Sequence, residues 1–208
     1  MARYIGPACR LCRRVGEKLF LKGERCYTPK CAVDRRRTPP GDKSFRRRRV
    51  SDHGVQLREK QKSRYTYGIM ESQLRKYVRQ AFGQSMSTGQ YFMQQLETRL
   101  DNVVYRLGFG DSRRQARQIV LHGHIEVDGK KTNIPSYNVR EGNVIAWRES
   151  HKGSEYAKAM SEDLPKRPVP EWLDLDVPSL KADVVRMPDE TELDTTIDTR
   201  LIVEFYSR

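Results

Sequence analysis

The stretch Ser112-Arg113-Arg114-Gln115-Ala116-Arg117-Gln118-Ile119-Val120-Leu121-His122-Gly123-His124-Ile125-Glu126-Val127-Asp128-Gly129-Lys130-Lys131 decides how the chain is read. Ser112 is placed to cap a helix, since its hydroxyl can accept from an amide left open in the first turn. His122-Gly123 ends that helix, glycine being the residue that tolerates the left-handed conformation there. At 100° per residue Ala116, Ile119 and Val120 share one arc, and Arg113, Arg114 and Arg117 occupy the arc beside it. One face packs, and the other offers three guanidiniums to phosphates near a helix N-terminus. The alternative is a solvated arginine face. His124–Val127 then runs into Asp128-Gly129, the signature of a tight hairpin with a primed turn, and Lys130–Ile134 returns from it.

Downstream, a turn at Glu141-Gly142-Asn143 precedes the strand Val144-Ile145-Ala146-Trp147, so two helices and a small sheet occupy about 99–147. Pro165-Lys166-Arg167-Pro168-Val169-Pro170 reads as a linker. Trp172–Val177 alternates as a strand, and Leu201–Tyr206 is an apolar terminal segment. From Glu149 to Arg208 there are 8 Lys and Arg against 14 Asp and Glu, a poor nucleic-acid surface and a candidate for packing or protein contact. Upstream, Met93, Leu96, Leu100, Val103, Val104 and Leu107 place helix over 88–107, with a break near Arg99–Asp101. Leu74, Tyr77, Val78, Ala81 and Phe82 make Glu71–Phe82 an amphipathic helix. Ser51 caps a charged helix that runs to about Tyr67 and stops at Gly68.

The front of the chain differs in kind. Its first 64 residues carry 20 Lys and Arg against 6 Asp and Glu, while the other 144 carry 20 against 21, within a net charge of +13. So dense a cationic segment repels itself unless a polyanion neutralises it. All four cysteines lie there too, as Cys9-x2-Cys12-x13-Cys26-x4-Cys31. Four thiolates make a closed tetrahedral set for one structural metal ion, and zinc leads. A 4Fe–4S cluster takes four cysteines as well, and a redox pair, two disulfides or four unrelated thiols are further readings. Arg10, Arg13, Arg14, Arg25 and Lys30 stand beside the ligands and offset the negative charge of a metal–tetrathiolate. This polar head is expected to lack an apolar core, so that losing the metal unfolds its first ~45 residues. Arg35-Arg36-Arg37-Thr38-Pro39-Pro40-Gly41 and the run Arg46–Arg49 follow on a segment that proline and glycine keep out of helix.

Some function classes fall away. No run of about 18 apolar residues could span a membrane, and Met1–Pro7 has no apolar core of a secretory signal, which predicts a cytoplasmic protein. No glycine-rich nucleotide loop and no nucleophile–base motif points to catalysis. His122 and His124 read as loop or RNA-contacting groups and not as metal ligands.

Met1–Pro7, Leu57-Arg58-Glu59-Lys60-Gln61-Lys62, Arg99–Phe109, Ser112–Gln118, His122-Gly123-His124, Ile134-Pro135-Ser136-Tyr137 and Ile202–Ser207 together resemble bacterial small-subunit ribosomal protein S-four, in order and over the whole length. The resemblance implies an α+β protein: a metal-bound N-terminal knuckle plus a helical domain, with an inserted small α/β RNA-binding module. Expected boundaries are 1–45 for the basic metal-binding region, 46–97 with 190–208 for the helical rRNA-binding domain, and 98–189 for the module with its acidic extension. It implies a cytoplasmic, non-catalytic constituent of the small ribosomal subunit. Such a protein binds the 5′ domain of 16S rRNA, nucleates assembly, influences decoding accuracy, contacts ribosomal protein S-five and takes no small-molecule substrate. Candidate rRNA contacts are Arg3, Arg13, Arg14, Arg35, Arg36, Arg58, Lys62, Arg113, Arg114, Arg117, Lys130 and Lys131. Replacing Arg113 and Arg117 is expected to weaken rRNA binding without lowering stability. Arg46, Arg47 and Arg49 match family positions on the path by which mRNA enters. Two departures stand out: Asp42-Lys43-Ser44 where the family often has Gln-His-Gly, and Gly142-Asn143 where it usually has Gly-Asp. The same module is appended to RNA-modifying enzymes, but those carry a catalytic domain beside it. A free-standing zinc-bearing RNA chaperone is the third reading.

Overall fold

A computed structural model describes residues 3–36, 38–41, 50–164 and 167–207. Contacts divide the chain into two units, Met1–Met93 with Asp194–Arg208, and Gln94–Leu193.

In the first unit α1 (Ala8–Val15) turns Ala8, Leu11, Cys12 and Val15 inward, the i, i+3, i+4, i+7 spacing of one helix face. With Leu19 and Leu21 these form a small core against which Val33 and Tyr65 pack. This corrects the expectation of a head without an apolar core. Burying Leu11, Val15, Leu19 and Leu21 contributes about 1.5–3 kcal/mol each before entropy is counted. A short 3₁₀ turn (Gly23–Cys26) and α2 (Ala32–Arg35) complete the head.

Helix α3 (Asp52–Thr66) is capped by Ser51, whose Oγ accepts from the Gly54 amide at 3.3 Å. Its buried positions are polar: Gln56, Lys60, Lys62, Ser63 and Thr66. Most of the face finds partners, the buried Gln56 Oε1 being an exception. Lys60 Nζ donates to Glu71 at 2.8 Å and lies 4.8 Å from the centre of the Phe205 ring, while Gln56 donates to Glu204 at 3.0 Å. Phe205 and Glu204 belong to α10 (Thr199–Ser207), so the apolar terminal segment is a helix packed on α3. Tyr206 donates to Glu71 at 2.7 Å. Helix α4 (Glu71–Ala81) buries Leu74, Tyr77, Val78 and Ala81. Helix α5 spans Thr88–Glu97.

In the second unit the expected break in the 88–107 helix is real. Arg99 is extended and bridges Asn138, and α6 runs Leu100–Arg106. Helix α7 (Arg113–Leu121) starts on Ser112, whose Oγ accepts from the Gln115 amide at 3.4 Å. Strands β1 (Ile125–Val127), β2 (Lys130–Lys131) and β3 (Val144–Trp147) follow, then α8 (Glu149–Lys152), α9 (Glu155–Asp163), β4 (Leu173–Asp176) and β5 (Lys181–Val184). All pairings are antiparallel, in the order β2-β1-β3-β5-β4. The acidic extension therefore supplies two strands of the module's own sheet. Strand β5 alternates exposed Lys181 and Asp183 with buried Ala182 and Val184. That pattern is too short and too polar to stand out in the sequence. Asp128 and Gly129 both have positive φ, 51° and 72°, as a primed hairpin turn requires. The core gathers α6, α7, α9 and one sheet face around Trp147 and Trp172. No helix among the described residues is long and apolar enough to cross a membrane.

Candidate nucleic-acid interface

Two carboxylates organise the module's arginines from within. Asp101, 4% exposed, accepts from Arg99 Nε and Nη2 at 3.0 and 2.8 Å and from Arg117 Nη1 at 2.6 Å. Glu97, 1% exposed, takes both ends of the Arg106 guanidinium at 2.9 and 2.8 Å. Asn102 donates to Glu97 at 2.7 Å and accepts from Arg113 Nε at 2.7 Å. The Arg113 guanidinium also lies 4.7 Å from the centre of the Tyr105 ring. Of the three arginines assigned to an RNA-facing arc, Arg117 is 7% exposed and is a structural ion-pair partner. Arg113 is largely enclosed and Arg114 half-buried. The helical wheel misleads because a guanidinium can be buried once a carboxylate is matched to it, and Asp101 supplies that match. The expectation that replacing Arg113 and Arg117 spares stability is corrected on the same ground.

Lys62 is a second correction. Its ammonium is buried between Glu17 at 2.6 Å and Glu59 at 3.8 Å, so it ties α3 to the head. Arg13 is partly committed too, donating to the carbonyls of Thr38 and Pro39 at 3.0 and 3.3 Å. By contrast Arg3, Arg14, Arg35, Arg36, Arg58, Lys130 and Lys131 are exposed. Lys130 and Lys131 form β2, the edge of the sheet. The stem of Lys131 crosses Gly123, where an added Cβ would stand 2.5 Å from Lys131 Cε. Glycine at 123 thus lets the lysine lie flat beside the α7 C-terminus. Arg46, Arg47, Arg49 and Asp42-Lys43-Ser44 lie outside the described residues.

His124 stacks on Trp147 with centroids 5.5 Å apart and planes at 16°, and His151 meets its edge at 4.6 Å. Burial pushes the His124 pKa below its ordinary value, and the nearby His151, His122 and Arg148 act in the same direction. His124 is therefore held toward its neutral form against the Trp147 ring. The outer face of the opposite sheet end is acidic, with Asp174 directly opposite Asp183.

The four cysteines are free thiols, and Cys12, Cys26 and Cys31 are buried. Burial raises the Cys12 pKa, a backbone hydrogen bond from Leu19 opposes this, and Cys26, Cys9 and Cys31 raise it further. The Lys22 amide donates to Cys26 Sγ at 3.4 Å. Among the described residues no group of three or more His, Cys, Asp or Glu side chains is arranged as metal ligands.

One basic surface escaped the sequence reading. Arg75, Lys76 and Arg79 line an open groove of about 630 Å³ along α4, with Glu71, Ser72 and Gln80. Its signal was present, since 75, 76 and 79 share the face opposite the buried stripe, but charges on a solvent face carry little weight alone.

Exposed cations on a small helix-and-sheet module and on a basic head are the surface of a nucleic-acid-binding protein. Residues 3–97 match the family described as ribosomal protein S4/S9 N-terminal domain, and residues 98–145 match the S4 domain. Small ribosomal subunit protein uS4A of Symbiobacterium thermophilum is 52% identical over 208 residues, the full length of both chains. The uS4 proteins of Heliobacterium modesticaldum and Thermus thermophilus are 52% and 53% identical, again over the full length of both. The chain belongs to the uS4 family of small ribosomal subunit proteins, which are structural and not enzymes.

Proposed function

We propose that this chain is a primary binder of the 5′ domain of 16S rRNA that nucleates small-subunit assembly. The observation that carries this reading is the segregation of charge. Cations are exposed over the head, on β2 and along the α4 groove, while the β4–β5 face is acidic. Folded RNA presents phosphates and hides base edges in its A-form grooves, so such a surface reads shape and backbone. Arg3, Arg14, Arg35, Arg36, Arg58, Lys130 and Lys131 make the phosphate contacts. Arg99, Arg117 and Lys62 hold the scaffold that presents them.

Cys9, Cys12, Cys26 and Cys31 hold one structural zinc ion, or alternatively an iron–sulfur cluster, in this reading. The chemistry of the donor set supports this: four soft thiols share one partly buried neighbourhood, with amide donors aimed at two of the sulfurs. The side chains as they stand are not gathered into a ligand set. When bound, the ion supplies charge neutralisation and cross-linking of the head, and no chemistry of turnover. The further roles rest on the family resemblance: contact with ribosomal protein S-five, an influence on decoding accuracy, and guidance of mRNA by Arg46, Arg47 and Arg49.

The test is titration of the full chain against a 5′-domain transcript at several salt concentrations. Each phosphate neutralised contributes about 0.7–0.9 to the slope of log K against log salt. Changing Lys130 and Lys131 to Ala should lower that slope by about 1.5. A slope identical to wild type removes β2 from the interface.

A further inference from the structure

We propose that Phe20 and Tyr27 form a stacking platform for one unpaired base of the bound RNA. The inference rests on the RNA-binding reading and adds a base-contacting site to it. Phe20 is 38% exposed and Tyr27 71% exposed, yet their rings stack on each other with centroids 4.9 Å apart and planes at 28°. Leu19 and Leu21, on either side of Phe20, both point into the head's small core. The chain therefore has apolar burial within reach at this point and still turns an aromatic ring outward.

The backbone adds a second signal. Phe20 has φ 48°, a left-handed conformation in which a Cβ crowds the following carbonyl and which glycine or asparagine adopts more easily. Non-glycine residues held there concentrate at ligand sites, where the surrounding structure enforces the geometry. The turn carrying Tyr27 is firmly tied. Its own amide donates to the Glu24 carbonyl at 2.9 Å, Thr28 Oγ1 donates to the Arg25 carbonyl at 3.1 Å, and the Cys31 amide donates to the Thr28 carbonyl at 3.0 Å. A pair of rings on fixed backbone loses little freedom when a third ring is laid on it.

Charge selects the occupant. Lys22, Arg25 and Lys30, all exposed, flank the two aromatics in sequence, against the one acid Glu24. An aromatic face with cations around it fits a nucleobase whose phosphates the lysines and arginine can follow. An apolar protein surface would have to desolvate those charges. A duplex does not qualify either, because its bases already stack on each other. The occupant is thus a base in a loop, bulge or single-stranded junction, and its identity is free, since every base has a π-face.

The experiment uses the full-length chain and a transcript of the 5′ domain of small-subunit rRNA, titrated at several salt concentrations. The variants are Tyr27→Ala, Tyr27→Trp, and the double change Phe20→Leu with Tyr27→Leu. Losing one base stack should weaken binding by about 5- to 150-fold in Tyr27→Ala. The double Leu variant keeps apolar area but no π-face and should lose as much, while Tyr27→Trp should bind at least as tightly as wild type. The salt slope should stay at its wild-type value in all of them, because no phosphate contact is removed. A double Leu variant with wild-type affinity overturns the platform and leaves the RNA-binding reading standing. A salt slope that falls together with affinity also overturns it, since the loop has then lost its cationic contacts by unfolding. A wild-type chain that binds the transcript with no salt dependence overturns the RNA-binding reading and the platform with it.

Discussion

Replacing Asp101 by Asn probes the interior of the module directly. The side chains are nearly isosteric, so packing is kept and only the carboxylate charge is removed. Asp101 accepts three hydrogen bonds from two guanidiniums, those of Arg99 and Arg117, which are 1% and 7% exposed. Water cannot replace the missing counter-charge at either site. Removing one partner of a buried ion pair typically costs about 3–5 kcal/mol, because a charge is left buried without compensation. Here two charges share the one carboxylate, which places the change at the upper part of that range. Other contacts of the two arginines bring it back toward the middle. A loss of about 4 kcal/mol in a unit of roughly 100 residues lowers the melting temperature by about 16–30 °C. Urea unfolding of the full-length variant, followed by tryptophan fluorescence from Trp147 and Trp172 in the same core, reads it out. A loss below about 1 kcal/mol would show that the cluster is solvated in solution and would return Arg117 to the RNA-facing set.

The turn at Gly142-Asn143 offers a gentler test. Asn143 donates to Asp128 Oδ2 at 2.8 Å and accepts from the Arg140 amide at 2.7 Å, whereas an Asp would set two carboxylates face to face. Asn143→Asp should cost about 1 kcal/mol in thermal unfolding, and added salt should shrink the deficit. The α3–α10 contact should respond to pH at both ends. Burial raises the pKa of Glu71, but Lys60, Tyr206 and Arg64 outweigh it, and the carboxyl ends below its ordinary 4.5. Its contribution is present above that value and fades as pH falls through the lower, folded one. Burial, then the bond to Glu71, pushes Tyr206 above its ordinary 10.0, so its contribution is present below pH 10 and fades as pH rises through the raised value. Tyr206→Phe should cost about 1 kcal/mol at pH 7 and flatten the alkaline limb of a stability–pH curve, whereas an unaltered limb would remove the tyrosine from that account. Elemental analysis should find one metal ion per chain. Chelation should expose amides of residues 22–31 to hydrogen exchange while α1, held by Leu11, Val15, Leu19 and Leu21, stays protected. Full protection in both segments would mean that no ion supports the head.

What the sequence disclosed follows from which interactions are local. The caps at Ser51 and Ser112, the Asp128-Gly129 turn and the amphipathic spacing of Leu74, Tyr77, Val78 and Ala81 depend on neighbours a few residues away, and each formed where it was expected. The partnership of β5 with β3 joins residues about 38 apart in sequence, Ala182 with Ile145 and Asp183 with Val144, and no local pattern announces it. Burial of charge was the least legible feature. Lys62 and Arg117 read as solvent-facing cations until Glu17 and Asp101 are seen beside them. The reverse holds for Ala8, Leu11, Cys12 and Val15, whose apolar periodicity was hidden by treating the cysteines as ligands only. The exposed cations Lys130 and Lys131 were legible because a two-residue edge strand has nowhere to bury them.

The most direct measurement is a hydroxyl-radical footprint of the purified chain alone on naked, full-length small-subunit rRNA. Binding as a primary rRNA protein predicts protection confined to the 5′ domain, obtained without any other ribosomal protein and lost as salt is raised. Protection that appears only after other subunit proteins have bound, or that falls mainly outside the 5′ domain, would contradict it.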